Sequence, residues 1–299
     1  MLGMYSAVRQ CAIAAFAVVA YMPSEPLHAA DATTSASTTA AAAVDPVAAS
    51  PWASARGNDQ YGTWADLTVK GVVQRFRLIP AGTFTMGSPS DEVGRNRDET
   101  AHSVTLTKPY WMADSDCTQA LWQVVMGSNP AYFIGNPQRP VEQVSWDDCQ
   151  QMLAALNKLD ARLSARLPTE AEWEYACRAG TTGPIPGVSL DAMAWDRDNS
   201  GNTTHPVKEK APNSWGLYDM IGNVLQWCGD RYGDYPTGPL TDPVGSALDS
   251  ERVYRGGDWD HWPSSCRSAY RYHLNKRMQD FDLGFRICLP VQTESSQRW

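Results

Sequence analysis

With 299 residues, 43% of them apolar, the chain is long enough for one large domain or two small ones. Its net charge is -8, from 33 acidic against 25 basic residues, and the Lys and Arg are scattered, so there is no footprint for nucleic acid and polyanionic partners are disfavoured. No apolar run reaches the roughly 20 residues that a membrane span needs, so no stable insertion is expected once an export signal is removed.

In chain order, residues 1–29 read as that signal: Arg9 supplies a positive start, Cys11 to Met22 an apolar core, and Leu27-His28-Ala29 a small-residue cleavage end. Residues 30–60 are rich in Ala, Thr, Ser and Pro, bury too little surface to offset their ordering entropy, and read as a tether. The domain is expected over residues 61–292, with 293–299 as a tail. The mature protein is expected to be soluble and, in a cell with two membranes, periplasmic.

Thr68–Ile79 partly alternates apolar and polar residues, and with Gly82–Met86 it predicts a β-hairpin turning at Pro80-Ala81-Gly82. Thr118–Met126 and Ser145–Leu159 predict helices, the second capped by Ser145 with Asp147 and Asp148 in its first turn. Thr169 opens a third, in which Glu172 completes a capping box and Gly180 closes the helix. That box makes Glu170, Glu172 and Glu174 architectural rather than catalytic. Beyond Gly180 the chain is dominated by Gly, Pro, Asn, Asp and Trp, which predicts short elements, long turns and a core built from large rings.

Asp258, Asp260 and His261 stand beside Trp259 and Trp262 in a short loop led by Gly256-Gly257. Two carboxylates near an imidazole suit general acid/base work or a borderline metal bound through nitrogen and oxygen, and a solvated polar loop is the alternative. Arg271 and Arg286 are expected to brace buried carbonyls or carboxylates. Removing Cys11 with the signal leaves six cysteines, an even number that fits an oxidising compartment.

The phrases GTFTMGS, CTQALWQVVMGSNP, PVEQVSWDD, RLPTEAEWEYACRAG, GLYDMIGNV, RGGDW, CRSAYR and LGFR, spread over Val72 to Cys288, resemble in order the formylglycine-generating enzyme (sulfatase-modifying factor) family. The resemblance implies a single α/β domain related to C-type lectins, with little regular structure. It also implies disulfides Cys177–Cys266 and Cys149–Cys288, leaving Cys117 and Cys228 bridged to each other or free.

The family's copper chemistry needs a pair of thiolates that this chain does not keep: counted from Gly257, the first falls on His261 and the second on Cys266, and counted back from Gly284 neither survives. The family's Gly-Gly-Ser is Gly256-Gly257-Asp258 here, its Gly-Asn-Val-Trp-Glu is Gly222-Asn223-Val224-Leu225-Gln226, and its Asn before Leu-Gly-Phe-Arg is Asp282. Copper is therefore not expected, and calcium is left with only Asn223 and the carbonyl of Val224. The expected catalytic residues are Asp258, Asp260, His261 and Asp282, with Trp227, Trp259, Trp262 and Arg267 against a small peptide-like substrate.

Three readings follow. The chain is an exported oxidoreductase similar to the branch of the family that matures a siderophore (pyoverdine) chromophore; or a non-catalytic lectin-like binding module using Trp195, Trp227, Trp259 and Trp262; or a sulfatase activator with a rearranged site.

Overall fold

Lys70 and Gly71, both left-handed at φ 47 and 87, turn the chain so that β2 (Gly62–Val69) and β3 (Val72–Ile79) pair antiparallel, following β1 (Ala55–Asp59). The turn thus splits the run read as one strand. The hairpin expected at Pro80-Ala81-Gly82 does not form, because β3 turns instead to β6 (Tyr110–Ala113) and β4 (Gly82–Met86) pairs with β5 (His102–Leu106). The structure, a computed structural model, describes residues 50–247 and 251–292, all within one unit, Val44–Trp299. The expected signal, the tether as far as residue 49 and the C-terminal tail lie outside the described residues.

The folded region starts earlier than the expected boundary at residue 61. Trp52 is buried edge-on against Phe76 and Trp111, with centroids 5.3 and 5.9 Å apart, and β1 pairs with β2. A segment this poor in large side chains is held by one indole, a signal that composition averages away.

The helices follow their caps. In α1 (Gln119–Met126), Thr118 accepts from the Leu121 amide and Gly127 closes the end at φ 82. In α2 (Trp146–Leu159), Ser145 and Asp148 form a capping box, as Thr169 and Glu172 do in α3 (Glu170–Arg178). The left-handed C-cap of α3 is Ala179, one residue before the expected Gly180. α4 (Leu190–Met193) is a single turn.

The remaining strands are short, as the loop-rich composition implies: β7 (Leu225–Arg231), β8 (Leu240–Thr241), β9 (Glu251–Arg255), β10 (Arg271–Asn275), β11 (Leu283–Phe285) and β12 (Cys288–Pro290). β12 and β8 join earlier strands in sheets ordered β1-β2-β3-β6-β12 and β4-β5-β8, and the other four make a sheet of their own, β10-β9-β7-β11. One core packs α1 and α2 on the first sheet through Trp111, Trp122, Met152 and Phe285; a second surrounds α3 through Trp173, Met112, Met220 and Ile221. No helix among the described residues is long and apolar enough to cross a membrane.

Ion pairs, buried except for the partly exposed Arg166–Glu172, tie these parts together. Arg271 holds Glu170, Arg178 and Arg255 hold Glu174, and Arg166 holds Glu172, so the carboxylates of α3 are structural, as expected. Arg286 donates to the carbonyls of Ala113 (2.9 Å) and Tyr218 (2.7 Å) and to Gln226 (2.9 Å).

Candidate active site

β9 delivers the chain to Gly256 and Gly257, whose φ of 108 and 68 belong to glycine, and the backbone doubles back on itself. The Gly222 amide donates to the Gly256 carbonyl (2.8 Å) and the Trp259 amide to the Asn223 carbonyl (3.1 Å), clamping the new loop to the Gly222–Asn223 turn. Asp258 follows at once and is fully buried. Its Oδ1 accepts from the amides of Asp260 (2.7 Å) and His261 (2.9 Å), and its Oδ2 contacts His261 Nδ1.

Asp282 arrives from the other direction. The parallel register of β11 on β7 sets Leu283 beside Leu225, and the Leu225 amide donates to the Asp282 carbonyl at 2.7 Å. One ligand atom each from Asp258, His261 and Asp282 then lies within 4.8 Å of the other two. Burial, and next the charge of Asp258, push the Asp282 carboxyl up to about 7. The hydrogen bond to Asp258 outweighs burial at His261 and raises its imidazole, a third of which is exposed. The structure therefore brings together three of the four expected catalytic residues. Asp260, half-buried, is tied in by its amide and stands at the edge of the group.

An aromatic wall flanks the cluster. Trp259 packs edge-on to Phe133 (5.2 Å) and tilted to Phe281 (5.6 Å); Tyr132 completes the set, 4.9 Å from Phe133 and 6.1 Å from Phe281. Tyr132 and Phe281 are exposed on this wall, and Tyr272 is 6.3 Å from the His261 ring. Buried Glu142 fixes the Tyr132–Phe133 segment by accepting both of its amides at 2.9 Å. Sequence reasoning missed Tyr132, Phe133, Tyr272 and Glu142; the one signal was an acid set between the two valines of PVEQV.

Other expected roles are corrected. Trp227 is fully buried and donates its indole N–H to the Val144 carbonyl (2.9 Å), so it cannot meet a substrate. Arg267 is buried on Glu99 and Glu92 and likewise holds structure. Trp262 is exposed, under the Arg197 guanidinium at 4.5 Å, whereas Trp195 is stacked 3.7 Å from His205.

Calcium fits poorly at Asn223, whose side-chain oxygen accepts from the His205 amide (2.9 Å) and whose amide donates to the His205 carbonyl (3.0 Å). Beside the buried Val224, the Gln226 oxygen already takes the Trp173 indole and the Arg286 guanidinium, a cation where a second would need to sit.

The expected disulfides are also absent: all six described cysteines are buried and unbridged. Cys149 packs with Cys117 in the core of the first sheet, and Cys288 packs in the core around α3. Cys177 shares a core with Cys266 but points its thiol at Ser268 Oγ (3.6 Å). Cys266 lies under the glycine pair, against Gly257, and burial pushes its thiol well above the ordinary range, away from the reactive thiolate. A cavity of about 670 Å³ lined by Tyr110, Trp146, Arg166 and Glu172 includes none of the cluster residues.

Residues 66–290 match the sulfatase-modifying factor enzyme 1-like domain. A formylglycine-generating enzyme of Streptomyces coelicolor is 32% identical over 199 residues, which cover 60% of this chain and 60% of that enzyme. Among solved structures, Treponema denticola variable protein 1 superposes with a TM-score of 0.70 at 32% identity, over 76% of this chain and 99% of that one. PvdO from Pseudomonas aeruginosa gives 0.67 at 27% identity, over 80% and 99%. The α/β, C-type-lectin-like architecture expected from the motifs is the one these neighbours share.

Proposed function

This chain belongs to the sulfatase-modifying factor enzyme 1-like family, and from that membership we propose that it is an exported, periplasmic oxidoreductase acting on a peptide-derived small molecule, such as a siderophore chromophore precursor. The observation that carries this reading is the convergence of Asp258, His261 and Asp282 beside an aromatic wall with exposed faces. A neighbour such as PvdO, which covers 80% of the chain, supports that branch of the family.

The reaction is a two-electron dehydrogenation. A C–H and an adjacent N–H bond of the substrate break and a C=N bond forms; dioxygen takes the two electrons and two protons and leaves as hydrogen peroxide. Tyr132 and Phe281 offer ring faces to a flat substrate, since stacked or edge-on rings attract beyond their buried area. The cluster holds the polar edge of the substrate, and Asp260 at its margin takes the first proton and returns it to the reduced oxygen. Orientation beside fixed groups is where such a site gains its rate.

The test is dioxygen uptake and peroxide release by the purified chain with a reduced siderophore chromophore precursor. Stoichiometric peroxide in the wild type and its loss in Asp260→Ala and His261→Ala is the expected result. Tight binding of the precursor with no peroxide would replace the enzyme by a binding module.

A further inference from the structure

We propose that Asp258, His261 and Asp282 form a binding site for one divalent transition cation of the manganese and iron class. Ligand atoms about 2.0–2.2 Å from a common centre lie no more than about 4.4 Å apart, and the three atoms here already lie within 4.8 Å of one another. Three ligand atoms spread around one such centre sit about 3–4 Å apart, so closing on a cation draws them inward by up to about 1 Å.

Three other deeply buried carboxylates, Glu99, Glu170 and Glu174, each face an arginine, whereas Glu142 and Asp230 are held by backbone amides instead. Asp258 is as deeply buried, yet among the described residues no Lys or Arg pairs with it or with Asp282; the neighbouring imidazole is the only nitrogen base the cluster supplies. The imidazole can balance one of these two facing carboxylates, and the second is costly without a further counter-charge. A divalent cation supplies that charge where three side chains already converge.

Two carboxylate oxygens and one imidazole nitrogen suit Mn²⁺, Fe²⁺ or Zn²⁺ better than Cu(I), which prefers sulfur, or Ca²⁺, which prefers oxygen alone. Two backbone amides fix Asp258 Oδ1, and its Oδ2 contacts His261 Nδ1, so a bound cation takes the place of that contact. Three protein ligands leave coordination positions open to water or to a heteroatom of the substrate. The site stands on this geometry; its part in oxidation rests on the function proposed above.

The purified chain, stripped by chelator, is titrated with Mn²⁺ by calorimetry and by loss of the free-ion electron paramagnetic resonance signal. One ion per chain is expected, displaced by Fe²⁺ and Zn²⁺ and not by Ca²⁺. Asp282→Asn and His261→Gln should each weaken binding by roughly tenfold or more with unchanged circular dichroism, and the exposed Asp91→Asn should not. Absence of binding at millimolar Mn²⁺, or equal affinity in the two cluster variants, overturns the site. Oxidation that persists in chelated protein overturns the cation's part alone, while specific binding without oxidation overturns the enzyme reading and leaves the site.

Discussion

Arg271 grips Glu170 through two parallel hydrogen bonds, Nε to Oε1 and Nη2 to Oε2, each 2.8 Å long, across 101 residues of sequence. The pair is buried and joins the N-terminus of α3 to β10, the strand that leaves the active-site loop. Burial pushes the Glu170 carboxyl up, but the charges of Arg271 and Arg255 more than reverse it and hold its pKa below the ordinary value of 4.5. A depressed folded-state pKa gives stability that is present above the unfolded value and lost as pH falls through the folded one. Stability should therefore fall as acid is added below about 4.5. Glu170→Ala strands Arg271 and should cost about 3–5 kcal/mol at pH 7 in denaturant unfolding; a loss under 1 kcal/mol would show that the pair contributes little.

Asp230 has the opposite sign. Burial, and next the charge of Glu170, raise its carboxyl to about 8, while the Glu170 amide bonds Oδ2 at 2.9 Å. An acid that holds its proton in the folded state and loses it near 3.8 when unfolded destabilises the fold as pH rises between the two values. The slope is up to about 1.4 kcal/mol per pH unit. Asp230→Asn keeps an oxygen for the Glu170 amide and should flatten stability between pH 5 and 7.5, measured by guanidinium unfolding. Equal pH dependence in variant and wild type would rule this out.

The helices were legible because each cap is local: Thr118, Ser145 and Thr169 declare the three starts within four residues. The sheets were not, since the alternation in Thr68–Ile79 says that strands exist but not that Lys70-Gly71 divides them or that β4 leaves for another sheet. Asp258, His261 and Asp282 were legible as residues, yet their meeting depends on the parallel β7–β11 register, which no local signal encodes. Arg267 and Trp227 were misjudged for one reason: a charge or an indole in a loop-rich stretch looks available until its buried partners, Glu99 and the Val144 carbonyl, are known.

Gly257 tests how tightly the loop is set. A Cβ there would sit 2.7 Å from Cys266 Sγ and 3.1 Å from the Ser265 carbonyl, at a φ of 68. Gly257→Ala should combine overpacking with left-handed strain, at about 2–4 kcal/mol, and shift the Asp258 amide bonds. Gly71→Ala, with φ 87 and no atom within 4 Å of the added carbon, should cost only about 1 kcal/mol. Comparable melting curves for the two variants would mean that the glycine pair is not under steric constraint.

Tyr132 and Trp259 belong to one aromatic wall but should fail differently. Trp259 is 6% exposed and wedged between Phe133 and Phe281, so Trp259→Ala opens a cavity under the active-site loop and should cost about 3–5 kcal/mol. Tyr132 is 66% exposed, and its ring touches the wall at its rim. Truncating it should leave unfolding within about 0.5 kcal/mol of wild type. If the wall receives the flat part of the substrate, Tyr132→Ala should raise KM several-fold with kcat little changed, the signature of lost binding shared by ground and transition states. An unchanged KM in Tyr132→Ala, with a stable fold, would move the substrate away from this face and toward Tyr272, whose ring lies 6.3 Å from that of His261.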